Sequence, residues 1–320
     1  MSRAKTMVAR VEAYLHARRQ FGFQLRIVGD ELLRFARYAD GAGHRGALTT
    51  ELALRWAQAA TTAAPLYRAR RLEVVRCFAK YQAAFEPETE IPARGILGSS
   101  HQRTPPYIFS PSEIERLLTG ASLLSSPRGL RAKTYAALIG LIACTGLRIS
   151  EALRLARADA DLTAGVLSIR QTKFGKSRLV PLHSSAQIEL RRYIARRDAI
   201  VPAIAGATLF VSESGNALPL RTVHCVARKL IDGVVAPSPS IARRPRIHDL
   251  RHTFACRRLL QWYRDGVDID QRIAALSTYL GHVKVSDTYW YLTGVPELMA
   301  IAATRFERFG REGDVHAARV

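Results

Sequence analysis

The sequence predicts a mainly α chain with one small β-sheet, divided into two parts. Apolar residues recur at the three- and four-residue spacing of a buried helical face along most of its length. One short region, Leu155 to Leu182, breaks that rhythm with two β-type runs around a turn. The stretch from Glu86 to Pro106 holds four prolines and two glycines with few large apolar residues, and reads as a linker. A length of 320 residues suits two domains. We place them at 1–92 and 109–320, joined by 93–108.

The first part shows helical periodicity from Met7 to Ala17, Ile27 to Tyr38, Thr50 to Thr61 and Pro65 to Phe85. Gly41 and Gly43 punctuate one connection. Thr49 or Thr50 can cap the third helix, since a hydroxyl accepts from an orphan amide, and Glu51 suits the positive end that follows. The second part opens with SPSEIERLL from Ser110, which supplies a cap, an early proline and an acidic first turn. A helical stretch from Arg131 to Ala156 breaks at Thr145-Gly146. GVLSIRQ and SRLVPL then flank a turn over Lys173 to Lys176, a hairpin signal. Helices resume at Ser184 to Asp198, around Leu218 to Val234, and at His248 to Tyr263, Ile269 to Leu280 and Pro296 to Phe309. Val235 to Pro245 is a proline-rich loop.

Composition narrows the function. The chain carries 48 Lys+Arg against 27 Asp+Glu, a net charge of +21, with 41 of the basic residues Arg. That excess points to a polyanion, and the planar guanidinium fork matches phosphate oxygens in pairs. With 48% hydrophobic residues the chain can build a core, which excludes wholesale disorder. No uncharged apolar run reaches the length of a membrane span, and the N-terminus is charged throughout, unlike a signal peptide. Cys77, Cys144, Cys225 and Cys256 are widely spaced without a CxxC pair, which fits a reducing, cytoplasmic setting and argues against a disulfide scaffold or zinc ribbon.

Four segments hold residues with chemistry. In TGLRISEALRL, Arg148 follows a glycine near a helix start and Glu151 lies three residues on, on the same face. This is either a surface ion pair or a guanidinium aimed at a phosphate. In RRPRIHDLRHTFA, His248 and Arg251 share a helical face, and His252 falls at i+4. Zinc is one reading, but Asp249 stands where such a helix needs a glutamate, and Arg251 would put a cation beside the metal. A phosphate clamp and ordinary helix histidines are the others. In YLGHVKVSDTYWYLTG, His282 follows a glycine and Tyr291 comes nine residues later, two after Tyr289. A tyrosine hydroxyl attacks only with a base or strong positive charge beside it; otherwise the cluster is core packing. In QTKFGKSRLVPL, Lys173 and Lys176 flank the turn and Arg178 begins the return strand. There is no tight Asp/Glu cluster of the kind that two metals need.

Taken in order and at these separations, TGLRISEAL, TKFGKSRLVPL, HDLRHTFA and LGHVKVSDTYWY resemble the tyrosine recombinases, the phage integrase and Xer/Cre-type site-specific recombinases. The likeness spans about Ser110 to Phe309. The first part resembles the family's helical, SAM-like core-binding domain through YLHARRQFGFQLR and its general helical pattern. The fold implied is that domain followed by a mixed α/β catalytic domain of the tyrosine-recombinase type. Arg148 matches the first arginine of the family's catalytic set, and Glu151 its supporting acid. Lys173 matches the hairpin lysine, with Lys176 the alternative if the register differs. His248 and Arg251 match the HxxR pair, His282 a position some members fill with tryptophan, and Tyr291 the nucleophile. Lys176, Arg178, Arg243 and Arg244 are expected to touch DNA.

The resemblance also implies a reaction. Tyr291 attacks the scissile phosphate to give a 3′-phosphotyrosyl bond, Lys173 protonates the leaving 5′-oxygen, and no cofactor or metal takes part. The implied partner is double-stranded DNA with a specific recombination site, bound by a homotetramer on two sites, with an accessory recombinase or DNA-bending protein as a further partner. The setting is a mobile element, in the cytoplasm and at the nucleoid when bound to DNA. The C-terminal PELMAIAATRFERF is expected to dock on a neighbouring protomer or on its own domain. Two rivals share parts of this picture, a type IB topoisomerase that relaxes DNA and a non-catalytic DNA-binding protein. The presence of the whole residue set argues against the second.

Overall fold

In the computed structural model the chain is described over residues 6–102, 104–170, 177–201, 208–238, 241, 243–293 and 303. It divides into two compact units, Met1–Arg103 and Thr104–Val320. The first contains α1 (Met7–Gln20), α2 (Arg26–Gly41), α3 (Thr50–Gln58) and α4 (Pro65–Gln82). Their apolar faces meet in one core, with Val11 and Leu15, Leu32 and Phe35, Trp56, and Val75 and Phe78.

The helix ends of this unit are fixed by polar groups. Thr6 Oγ1 accepts from the Ala9 amide at 3.2 Å. The Asp40 carboxylate, late in α2, accepts from the Met7 and Val8 amides at 2.9 and 3.0 Å. It thereby satisfies orphan donors at the positive end of α1 and ties two helices together. Thr49 is the residue that caps α3, through Leu52 N at 3.2 Å. Beyond α4, Glu90 N donates to the Leu48 carbonyl at 2.9 Å and the Glu90 carboxylate accepts from Thr50 N at 2.8 Å. Arg76 donates to the Pro92 carbonyl at 2.9 Å, so this stretch is anchored to the first unit.

The second unit runs α5 (Pro111–Ser122), α6 (Leu130–Thr145), α7 (Ile149–Arg154), β1 (Ala160–Asp161), β2 (Val166–Ile169), β3 (Arg178–Pro181), α8 (Ser184–Ile200), α9 (Leu220–Asp232), α10 (Asp249–Arg264), α11 (Ile269–Leu280) and α12 (Ser286–Thr293). A capping box starts α5: Ser110 Oγ accepts from Glu113 N at 3.1 Å and the Glu113 carboxylate from Ser110 N at 2.7 Å. The central helix is α6, which buries Leu130, Tyr135, Leu138, Ile139, Leu141 and Ile142 against α5, α8 and α10. The antiparallel sheet has the order β1-β2-β3, with Val166 opposite Pro181 and Ile169 opposite Arg178. Phe109, just before α5, is pinned to α10: its N–H donates to Thr253 Oγ1 at 3.0 Å and its carbonyl accepts from Arg257 at 2.7 Å.

The mainly helical chain with a small sheet is thus what forms. Two elements went unread in the sequence. One is β1, at two residues too short to show a period. The other is α12, an eight-residue helix that is held by α10 and α11 rather than by its own propensity. The turn at Lys173 to Lys176 and nearly all of the C-terminal stretch expected to be helical lie outside the described residues. Among the described residues, no helix is long and apolar enough to cross a membrane.

Removing the Ser110 cap leaves the first turn of α5 with an unanswered amide. Ser110→Ala is expected to destabilise the second unit by about 1 kcal/mol, read as a lower urea midpoint. An unchanged midpoint would show that the box contributes nothing.

Candidate active site

The site is built where helices end. Gly146, just past α6, has φ of 65°, a conformation glycine adopts without strain. A Cβ there would meet Phe254 Cδ1 at 2.5 Å, so both backbone and space require glycine. The turn delivers Arg148 to the N-cap of α7. Glu151, one turn on, accepts from the Arg148 backbone N–H at 3.1 Å and from its Nη1 at 2.7 Å. This is no surface pair, for Glu151 is only 3% exposed. The other guanidinium nitrogen, Nη2, donates to the Gly281 carbonyl at 3.0 Å.

Arg251 projects from the first turn of α10 and is 1% exposed. Its Nη1 donates to the Gly146 carbonyl at 2.7 Å and its Nη2 to the Leu280 carbonyl at 2.6 Å. Those carbonyls close α6 and α11, where the last C=O groups lack intrahelical partners and the helix dipole is negative. Burial, then the nearby Arg148 charge, pushes Arg251 down to about 10, so it remains a cation at neutral pH.

A third guanidinium shares Glu151. Arg178 starts β3, and the two-residue alternation of the strand puts it on the face of buried Val180. Its Nη2 lies 2.8 Å from Glu151 Oε2, its Nη1 3.2 Å from Oε1, and its Nε 2.7 Å from the Tyr279 carbonyl. Burial alone would raise the Glu151 carboxyl. The hydrogen bonds and charge of Arg178, joined by those of Arg148, override it and bring the group down to about 2.

Arg178, Arg243 and Arg244, expected to touch DNA, each have a carboxylate partner in the structure. Arg178 has Glu151. Arg243 grips buried Asp249 with both terminal nitrogens, one at 3.1 Å. Arg244 grips Asp232, with Nε at 2.9 Å. Lys173 and Lys176 lie outside the described residues.

Histidines and tyrosine complete the neighbourhood. Gly281, with φ of 67°, ends α11 and leads into His282, whose Nδ1 is 2.7 Å from Thr288 Oγ1. Tyr291 on α12 is 3% exposed, with its ring 5.9 Å from that of His282 and 5.4 Å from that of His252. His252 meets His248 edge-on at 4.8 Å. Tyr289 is 44% exposed and takes no part in this stack. Burial raises the Tyr291 phenol, while the charge and hydrogen bond of Arg251 oppose that rise. Burial, reinforced by Arg251, pushes His248 and His282 down to about 4, and burial followed by His248 pushes His252 to about 3. All three imidazoles are therefore neutral at pH 7.

The structure brings Arg148, Glu151, His248, Arg251, His282 and Tyr291 into one neighbourhood. The sequence reading missed three participants. His252 is weighed in the sequence as a metal partner or an ordinary helix histidine, although its i+4 relation to His248 is visible there. Arg178 is expected from the sequence to touch DNA, with no sign there of its tie to Glu151, although strand alternation puts it on the Val180 face. Thr288, partner of His282, had no local signal. Among the described residues, no group of three or more His, Cys, Asp and Glu side chains is placed to hold a metal ion.

Residues 108–295 match the model of the phage integrase family. The chain is 44% identical over 304 residues, 93% of its length and 96% of the relative's, to y4rB of Sinorhizobium fredii, which bears the name integrase/recombinase. It is 30% identical over 248 residues to the tyrosine recombinase XerD of Caulobacter vibrioides, covering 78% of this chain and 77% of that one. Among solved structures, the fold is similar to the Tn1549 transposon integrase in complex with transposon right end DNA, with TM-score 0.69 and 16% identity over 96% of this chain and all of that one. It is also similar to XerH bound to its difH substrate, with TM-score 0.65 and 20% identity over 87% of this chain and 78% of that one.

The depressed histidines fix an acid dependence. Their folded values lie below the ordinary 6.5, so the unfolded chain binds more protons as pH falls. Stability present above pH 6.5 is lost as pH drops toward 4, and depressed Glu151 extends the loss from 4.5 toward 2. The urea midpoint should fall on acidification through this window, and less steeply in His252→Phe. An identical slope in that variant would remove His252 from the account.

Proposed function

The chain belongs to the phage integrase family, the tyrosine-type site-specific DNA recombinases, and on that premise we propose how its residues divide the reaction. One observation carries the reading: two guanidiniums, Arg148 and Arg251, are bound to the adjacent carbonyls of Gly281 and Leu280, and the charges of both act on the buried Tyr291 phenol. A scissile phosphate bound by those cations lies beside the hydroxyl that attacks it. Tyr291 Oη bonds to phosphorus, the 5′-oxygen leaves, and a 3′-phosphotyrosyl link conserves the bond for rejoining. The transition state gathers negative charge on its non-bridging oxygens, which Arg148 and Arg251 stabilise with donors already fixed in direction.

His248, neutral at pH 7, takes the phenol proton, and Lys173 returns one to the leaving oxygen. His282, oriented by Thr288, donates to the phosphate. Glu151 holds Arg148 and does not react.

The substrate is double-stranded DNA with a specific recombination site, a reading supported by the net charge of +21. Residues 1–92 serve as the core-binding module and 109–320 as the catalytic one. The working assembly is a homotetramer on two DNA sites in the cytoplasm, with an accessory recombinase or DNA-bending protein as a further partner. Integration of a mobile element is the role that fits the relatives' names.

The test begins by selecting a bound site from a randomised duplex pool and placing a nick beside it. Wild type should leave a protease-sensitive adduct on a denaturing gel. Tyr291→Phe should leave none, and Tyr289→Phe should match wild type. Arg148→Ala should slow adduct formation by about two to three powers of ten. Loss confined to Tyr289→Phe would reassign the nucleophile, and tight binding with no wild-type adduct would leave a DNA-binding protein. Exchange between two sites, as opposed to relaxation alone, separates the recombinase from a topoisomerase.

A further inference from the structure

We propose that Arg178 is a positioning residue of this reaction: it holds Glu151 and the backbone that leads to Gly281, the two groups that aim Arg148, and it makes no contact with DNA. The inference rests on the reaction proposed above. Arg148 is aimed by two acceptors, the Glu151 carboxylate and the Gly281 carbonyl. Arg178 touches the surroundings of both. It spans the Glu151 carboxylate with Nη1 and Nη2, and with Nε it takes the Tyr279 carbonyl, two residues before Gly281. A Cβ on Gly281 would lie 2.8 Å from Arg178 Nη1, so the guanidinium sits close against that backbone.

The arrangement uses Arg178 completely. All three of its nitrogens have protein acceptors and its side chain is 10% exposed. A planar fork can meet two carboxylate oxygens and a carbonyl at once, which a lysine ammonium cannot copy. Without it, buried Glu151 keeps a single close cation, Arg148. Arg148 is then drawn to an unanswered carboxylate, and the end of α11 loses its tie to β3. Displacing a catalytic group by about 1 Å is enough to cost about two powers of ten in rate.

The experiment uses the full chain and the selected nicked duplex. It compares wild type with Arg178→Met, Arg178→Lys, Glu151→Gln and the double variant Arg178→Met/Glu151→Gln. Equilibrium binding gives Kd, and adduct formation at saturating protein gives the single-turnover rate. Arg178→Met should slow the rate by about 10- to 100-fold, with Kd changed less than about twofold. Arg178→Lys should recover only part of that loss. The double variant should be no slower than Glu151→Gln, because the two residues act as one unit.

A weaker Kd with an unchanged saturated rate would make Arg178 a DNA contact and overturn the proposal. So would additive losses in the double variant. If Arg178→Met fails to fold, as judged by its melting transition, Arg178→Lys decides: a wild-type rate there overturns the proposal. No adduct from wild type overturns the reaction above and this inference with it, whereas a wild-type adduct matched by the Arg178 variants overturns this inference alone.

Discussion

The site depends on a solution to like-charge repulsion. Arg148 and Arg251 stand near each other, one half-buried and one almost fully buried, and the Arg148 charge lowers the preference of Arg251 for its own. Two buried cations persist together only if fixed negative ends face them. Here Glu151 supplies a full charge, and the ends of α6 and α11 supply partial ones through the Gly146, Leu280 and Gly281 carbonyls. Helix ends are apt for this, because their carbonyls are already unpaired and already aligned. The glycines at 146 and 281 follow from the same need, since each lets a helix stop while its last carbonyls turn toward a guanidinium.

Around this charged frame lies a neutral layer. Burial keeps His248, His252 and His282 uncharged, and the Tyr291 phenol is buried among them. The two layers are complementary. Cations that cannot give up their protons recognise an anion, while neutral rings with displaced proton affinities are free to move one. Tyr291 also belongs to a small apolar cluster with Ala255, Cys256, Leu259 and Leu280, so the candidate nucleophile is held by packing.

Much of the scaffold was legible because it is local. The periodicity of α6, α10 and α11, the Ser110 capping box and the alternation of β2 and β3 are properties of neighbouring residues. The shared face of His248 and Arg251 was legible for the same reason. What stayed hidden depends on distant partners. Arg178 meets Glu151 across 27 residues, and Arg244 meets Asp232 across 12, separations at which spacing carries no signal. Reading those arginines as DNA contacts rested on their charge and position, and charge says nothing of which carboxylate lies opposite. The helix α12 escaped for a related reason: its eight residues are too few to show a face, and its packing on α10 and α11 decides its shape.

The two guanidiniums also bear on how the protein is made. Arg251 reaches back 105 residues to the Gly146 carbonyl, and Arg148 reaches forward 133 residues to that of Gly281. A growing chain that stops short of residue 251 has neither contact, and one that stops short of 281 lacks the second. During synthesis the frame of guanidiniums and carbonyls therefore cannot close until the ribosome has released the sequence through α11, and Tyr291 arrives later still. A nascent chain that ends before α11 carries most of the helices and the positive charge with its Arg148 and Arg251 guanidiniums still unmatched to the Gly281 and Leu280 carbonyls.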